Sequence, residues 1–230
     1  MEEGIEKTTG GFFPLLGLPG FPAGKPVRTA LIMGARPDGL TAYLSALAAS
    51  LGFKVLVADA ANSFDPYVVS KFARKEGIPP GDLLKKILVA RAFTCHQLST
   101  LIRERLESNI PPGAPALVIF LGPCTMFFDD DVPREEAALL FRKTMAKVQE
   151  ISRAGVFFLL SQSFSGFNKK RSFFLHELVK FSDAVLKLKS SPDALQVVLD
   201  KPPLKLPRPW RVFEEFKRLA AGDDAAGEKL

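Results

Sequence analysis

Between Gly34 and Thr41 the chain reads Gly-Ala-Arg-Pro-Asp-Gly-Leu-Thr, the frame of the phosphate-binding loop GxxxxGK[ST] with one position changed. At a strand-to-helix turn, that spacing lets backbone N–H groups cradle phosphate oxygens. A lysine then neutralises the β and γ oxygens, and the hydroxyl holds Mg²⁺. Here Leu40 stands at the lysine position, so Gly34, Gly39 and Thr41 keep the cradle and the hydroxyl without the charge. A glycine turn between a strand and a helix has the same spacing and no ligand.

A second stretch combines groups suited to single-stranded nucleic acid. Ser163-Phe164-Ser165-Gly166-Phe167-Asn168-Lys169-Lys170-Arg171 offers glycine flexibility, two aromatic rings and three consecutive cations. Phe164 and Phe167 can stack on bases while Lys169, Lys170 and Arg171 follow the phosphates. The bland alternative is a solvated loop. Lys201, Lys205, Arg208 and Arg211, around Pro202-Pro203 and Trp210, either extend this basic surface or form a solvated tail.

Other candidates are weaker. Adjacent carboxylates in Asp129-Asp130-Asp131 point to opposite sides of an extended chain, so a solvated capping cluster is favoured over a hard-cation site. His96 and His176 have no metal-ligand or Ser/His/Asp spacing around them, and no metal is expected. Cys95 and Cys124 are too few for a disulfide scaffold and read as buried, reduced thiols.

The elements that must position these groups alternate between apolar, strand-like runs and segments of helical period, as in a mostly parallel sheet covered by helices. Strands are expected over 27–33, 54–59, 87–91, 116–121 and 156–161, with a terminal hairpin over 184–189 and 195–199. A loop is expected over 34–39 and a helix over 41–51, closed by Gly52. Pro66 opens a helix that runs to Gly77, and Pro79-Pro80-Gly81 breaks the chain. Thr94 and Gln97 have capping-box spacing for a helix to about Glu107, and Pro133, Glu135 and Glu136 open a long helix to about Arg153. After Leu206 the chain is Pro-rich and then weakly helical. Residues 220–230 carry too little apolar surface to be ordered.

In order along the chain, these segments resemble the RecA/RadA recombinase family, including its KaiC-like paralogues. Gly10, Leu15-Leu16-Gly17 and Phe21-Pro22-Ala23-Gly24 resemble the family's lead-in. Asp59-Ala60-Ala61-Asn62-Ser63-Phe64-Asp65-Pro66 is similar to "DTEGTFRP". Ala90-Arg91-Ala92-Phe93 followed by His96-Gln97 resembles "ARAFNxxHQ", the most specific match. Phe158-Leu159-Leu160-Ser161-Gln162 stands where a strand ends in "TNQ", which makes Gln162 a vestigial sensor of the γ-phosphate.

The resemblance implies an α/β, RecA-like P-loop fold with helices on both faces of a mostly parallel sheet and a C-terminal hairpin. Residues 1–26 would be a lead segment packed on the core, 27–200 the core, and 201–230 a basic tail. It also implies that the charged ATPase positions are replaced: the lysine by Leu40, the water-activating glutamate by Ala61, and the metal aspartate by Leu121. Phosphoryl transfer depends on positioned charge and metal, so a pseudo-ATPase is expected.

The implied role is an accessory or regulator in DNA repair or recombination that binds single-stranded DNA, a RecA/RadA-type recombinase, or both, and a homo-oligomer fits the same pattern. One alternative is an adaptor or inhibitor that binds only protein, in the manner of the cell-division inhibitor SulA. Another is a weak nucleotide binder in which ATP and Mg²⁺ are structural ligands, with no other cofactor implied. A net charge of +6 over 230 residues favours a polyanionic partner. No apolar run reaches the roughly 20 residues that span a bilayer, and the acidic start lacks a secretory pattern, so the cytoplasm and no membrane partner are expected. Exposed phenylalanines among Phe12, Phe13 and Phe21 would mark a partner surface.

Overall fold

The computed structural model describes residues 27–34, 37–164, 169–190, 195–201 and 211–221. Seven strands form one sheet: β1 (Thr29–Gly34), β2 (Lys54–Asp59), β3 (Ile87–Arg91), β4 (Ala116–Leu121), β5 (Phe157–Ser163), β6 (Ala184–Ser190) and β7 (Leu195–Lys201). Their order is β3-β2-β4-β5-β1-β6-β7. Every neighbouring pair is parallel except the terminal hairpin of β6 and β7. The helices are α1 (Pro37–Ser50), α2 (Pro66–Lys75), α3 (Pro80–Leu84), α4 (Cys95–Thr100), α5 (Arg134–Arg153), α6 (Phe173–Phe181) and α7 (Arg211–Ala221).

Side chains on a strand alternate between faces, so continuous apolar runs feed two cores at once. In β4, Leu117, Ile119 and Leu121 join one apolar cluster, while Val118 and Phe120 join the other. β1 divides likewise into Ala30 and Ile32 against Leu31 and Met33. The first cluster is closed by α1, α2, α3 and α7, and the second by α4, α5 and α6, so helices cover both faces.

The hairpin and the strands expected over 54–59, 87–91 and 116–121 are present. The strands expected over 27–33 and 156–161 lie at Thr29–Gly34 and Phe157–Ser163, and three further segments differ. The loop expected over 34–39 is cut short because α1 already begins at Pro37, where a residue lacking an N–H costs no intrahelical bond. The helix that starts at Cys95, with the Thr94 hydroxyl accepting the Gln97 N–H at 3.1 Å, turns into a π-helical stretch over Leu101–Arg105. Pro79-Pro80-Gly81 opens a short helix rather than simply breaking the chain.

The strand order also says where a site can lie. From β1 the chain crosses the first face to β2, and from β5 it crosses the opposite face to β6. Connections leaving neighbouring strands in opposite directions open a crevice at the strands' carboxyl ends. Gly34, Asp59, Leu121 and Gln162 all lie at or next to such ends. No helix among the described residues is long and apolar enough to cross a membrane. The lead segment 1–26 and residues 222–230 lie outside the described residues.

Candidate functional site at the carboxyl edge of the sheet

Leu40 and Leu121 are 0% and 1% exposed, and the half-buried Ala61 packs against the same cluster. These three positions therefore belong to one continuous apolar cluster. Ala61 is pressed onto the turn after β4: a Cβ added at Gly122, whose φ is +66°, would lie 2.8 Å from the Ala61 Cβ. A side chain at position 122 would collide with Ala61, so the turn after β4 requires glycine there.

The cradle residues serve the fold in the same way. Gly34 has φ +121°, and a Cβ there would collide with the Leu188 carbonyl oxygen, so the glycine allows β1 to approach β6. Gly39 lies inside α1, where its α-carbon faces the Phe216 ring of α7; a Cβ would sit 3.3 Å from that ring. The Thr41 hydroxyl is fully buried and donates to the Pro37 carbonyl at 2.7 Å. The wound first turn of α1 thus takes up Gly39 and the Thr41 hydroxyl.

Gln162, 1% exposed, is equally committed. Its Oε1 accepts the Cys124 N–H at 2.9 Å, and its Nε2 donates to the Ser163 carbonyl at 2.9 Å and to Thr125 Oγ1 at 3.5 Å. An amide with both ends engaged inside the protein is not poised toward a phosphate.

Polar groups at this edge hold one another. The fully buried Asp59 carboxylate accepts the Ser63 and Phe64 N–H groups at 3.1 and 3.2 Å, and Arg91 Nε approaches it to 3.4 Å. These bonds shape the turn after β2, in which Asn62 adopts a positive φ. Ser161 Oγ donates to Asp38 Oδ1 at 3.2 Å. Burial pushes the Asp38 carboxyl above its ordinary value; the Ser161 hydroxyl opposes the push and the Asp59 charge adds to it. Ser63 Oγ is enclosed nearby without a hydrogen bond.

The basic stretch divides. Phe164 is 49% exposed at the end of β5, and Lys170 is exposed in a 3-10 turn over Lys169–Arg171. Arg171 corrects the reading of three equivalent cations. It is 5% exposed, and its guanidinium donates to Asp130 at 3.1 Å, to the Phe127 carbonyl at 3.1 Å and to the Val132 carbonyl at 2.6 Å. Such a fork fastens two chain segments and leaves no face for a phosphate. Asp130 is accordingly an anchor, not a helix cap. Phe167 and the Lys169 side chain lie outside the described residues. Lys201 is half-buried, and its ammonium donates to the Val179, Lys180 and Ser182 carbonyls at 3.2, 3.0 and 2.6 Å, at the C-terminus of α6.

One cluster was not legible from spacing, because its members come from two helices. Cys95 Sγ lies 3.5 Å from His96 Nδ1, and His96 Nε2 lies 2.8 Å from Glu136 Oε1. The sequence thiol, imidazole, carboxylate has the order of a nucleophilic relay. Cys95 is only 1% exposed, however, and burial pushes its thiol above the usual value, which opposes the thiolate such chemistry needs. Cys124 is buried and its thiol is held well above the ordinary value by burial. Among the described residues, no three His, Cys, Asp or Glu side chains are grouped to hold a metal ion.

No protein-family model matches the chain, and a comparison with curated proteins returns no match.

Proposed function

We propose that this chain is a catalytically silent paralogue of the RecA/RadA recombinases, with a RecA-like P-loop fold turned to binding. It acts as an accessory or regulator in DNA repair or recombination. The observation that carries this reading is the position of Leu40, Ala61 and Leu121. They lie at the edge where the motif-like segments converge, and all three are drawn into one apolar cluster. Hydrolysis requires a cation, a metal carboxylate and a water-activating carboxylate there, and hydrocarbon supplies none of them. The strand order supports the reading too, since it gathers segments distant in sequence at one crevice.

On this reading the DNA-facing residues include Phe164 and Lys170, an exposed aromatic ring and an exposed lysine that follow the central strand β5. Stacking on Phe164 and charge from Lys169 and Lys170 would favour single strands over a stacked duplex. The test is fluorescence anisotropy of a labelled oligothymidylate across a salt series, with Phe164→Ala and the pair Lys169→Ala and Lys170→Ala. Binding that weakens in both variants and falls steeply with salt is expected. Hydrolysis of ATP by the purified chain would defeat the silent-ATPase part.

A second reading is an adaptor that binds only protein. On or just beyond the edge strand β3, Leu88 is 45% and Phe93 65% exposed, and Tyr67 on α2 is 78% exposed. Exposed apolar groups beside a strand edge that no other described strand pairs suit a protein partner. Failure of the oligonucleotide to bind at low salt would favour this reading.

A further inference from the structure

The outer face of α2 gathers an aromatic ring and three cations on one side. Val69, Phe72 and Ala73 are its buried residues and mark the side turned to the first apolar cluster. At 3.6 residues per turn, Tyr67, Lys71 and Arg74 fall on the opposite side within about 60° of one another, and Lys75 adjoins them. Tyr67 is 78% exposed, and Lys71, Arg74 and Lys75 are exposed as well. None of the three cations pairs with a carboxylate among the described residues: Asp65 caps the helix, accepting the Tyr67 N–H at 2.8 Å, and Asp82 is taken by Lys85 at 3.4 Å. We infer that this face is a binding surface for single-stranded nucleic acid, on which Lys71, Arg74 and Lys75 hold phosphates and Tyr67 stacks on a base. The inference names a further contact for the DNA-binding reading above and rests on that reading.

Charge sets the sign of the occupant. Like charges three or four residues apart on a helix repel, so Lys71 beside Arg74 and Lys75 costs stability that an overlying polyanion recovers. The helix dipole accounts for Arg74 and Lys75, which lie in the last turn, but not for Lys71 a turn earlier. The acidic residues nearest in sequence, Asp65 and Glu76, bound the helix at its two ends and do not interrupt the cationic side. Three cations free of carboxylates are what a row of phosphates requires, since each contact releases counterions.

The rings choose among polyanions. Asp59 and Arg91 are register partners at the ends of β2 and β3. The chain passes from the first through the Asp65 cap to Tyr67, and from the second directly to Phe93, which is 65% exposed. Two exposed aromatic rings thus arise from neighbouring strand ends, one of them on the cationic face. An acidic protein needs the charge and not the rings, and a duplex keeps its bases stacked on one another; a single strand uses both groups. The protein-only reading draws on the same rings but leaves the cations without a role.

The experiment titrates the full chain by anisotropy across a salt series, with a labelled oligothymidylate and with an abasic oligonucleotide of the same length. Lys71→Ala, Arg74→Ala and Lys75→Ala combined should raise the Kd for both strands about tenfold or more, and flatten the slope of log Kd against log salt by about 2, at about 0.7 for each phosphate contact. Tyr67→Leu should raise the Kd for oligothymidylate about fivefold or more and leave the abasic strand unchanged. As a charge control, Arg142→Ala, Lys143→Ala and Arg153→Ala combined remove three exposed cations from α5, on the opposite face of the sheet, and should change either Kd less than about threefold. Equal losses in the two triple variants, or a Tyr67→Leu effect that is the same on both strands, overturn the inference, as does tighter binding of polyglutamate than of oligothymidylate. Binding that falls with Phe164→Ala but with none of the α2 variants overturns the inference alone. A parent chain that binds neither strand overturns the DNA-binding reading, and the inference with it.

Discussion

Placing a lysine at position 40 is the most informative single perturbation. Leu40 is 0% exposed in the cluster shared by α1, β1, β4 and α7. Replacing it forfeits the burial of a leucine, about 1.5–3 kcal/mol. The ammonium must then be desolvated, deprotonated or drawn outward along its stem, which adds several kcal/mol less whatever snorkelling recovers. A total of about 4 kcal/mol is a large share of the 5–15 kcal/mol that typically separates folded from unfolded chains. In urea, with a slope of roughly 2.5 kcal/mol per molar, the midpoint of Leu40→Lys should fall by about 1.5 M. Leu40→Met conserves volume and should cost less than about 1.5 kcal/mol. Circular dichroism and tryptophan fluorescence in urea give both numbers. A Leu40→Lys chain within about 1 kcal/mol of the parent, especially one that gains ATP binding, would mean that an open phosphate site lies there and would refute the reasoning.

Three further outcomes follow from the same geometry. The Asp38 carboxyl is raised in the folded chain, so its protonated form is favoured by folding; its contribution is full below the unfolded value near 3.8 and is lost as pH rises through the folded value. Asp38→Asn should therefore gain stability relative to the parent on going from about pH 4 to pH 7, measured by denaturation at both, and a gap that narrows with pH would contradict this. Lys201→Met removes three carbonyl contacts at the end of α6 and should cost about 1–2 kcal/mol, with faster amide exchange over the last turn of that helix. Gly34→Ala must abandon φ +121° or push back β6, and should lower stability by about 2 kcal/mol or more in a thermal melt; a neutral effect would return that glycine to a purely ligand-facing role.

The central strands were legible because runs such as Ala116–Leu121 are apolar throughout and bounded by Gly and Pro, the pattern of strands buried on both faces. α6 was not anticipated. Ser172 precedes Phe173–Phe181 with helical dihedrals and no side-chain bond, so no capping signature marks its start, and its polar face is only His176, Glu177 and Lys180. The early start of α1 was signalled by Pro37 and Asp38, but the spacing of Gly34 and Gly39 suggested a loop instead.

Side-chain roles at the site were legible only in type. That Leu40, Ala61 and Leu121 are uncharged is written in the sequence; that they join one apolar cluster depends on strand order. Three adjacent cations look alike in one dimension. Only the path of the β4–α5 connector, whose carbonyls at Phe127 and Val132 need a donor, turns Arg171 inward and leaves Lys170 exposed. The Cys95-His96-Glu136 chain required α5 to pass beside α4, which no local spacing encodes.

The account stands most directly on whether triphosphate has anywhere to bind. Isothermal titration of ATP with Mg²⁺ into the full chain should give no saturable heat up to millimolar ligand, a Kd weaker than about 1 mM, and no rise in melting temperature. Saturable one-to-one binding in the micromolar range, abolished by Thr41→Val, would show that the edge filled here by Leu40, Ala61 and Leu121 opens to nucleotide after all.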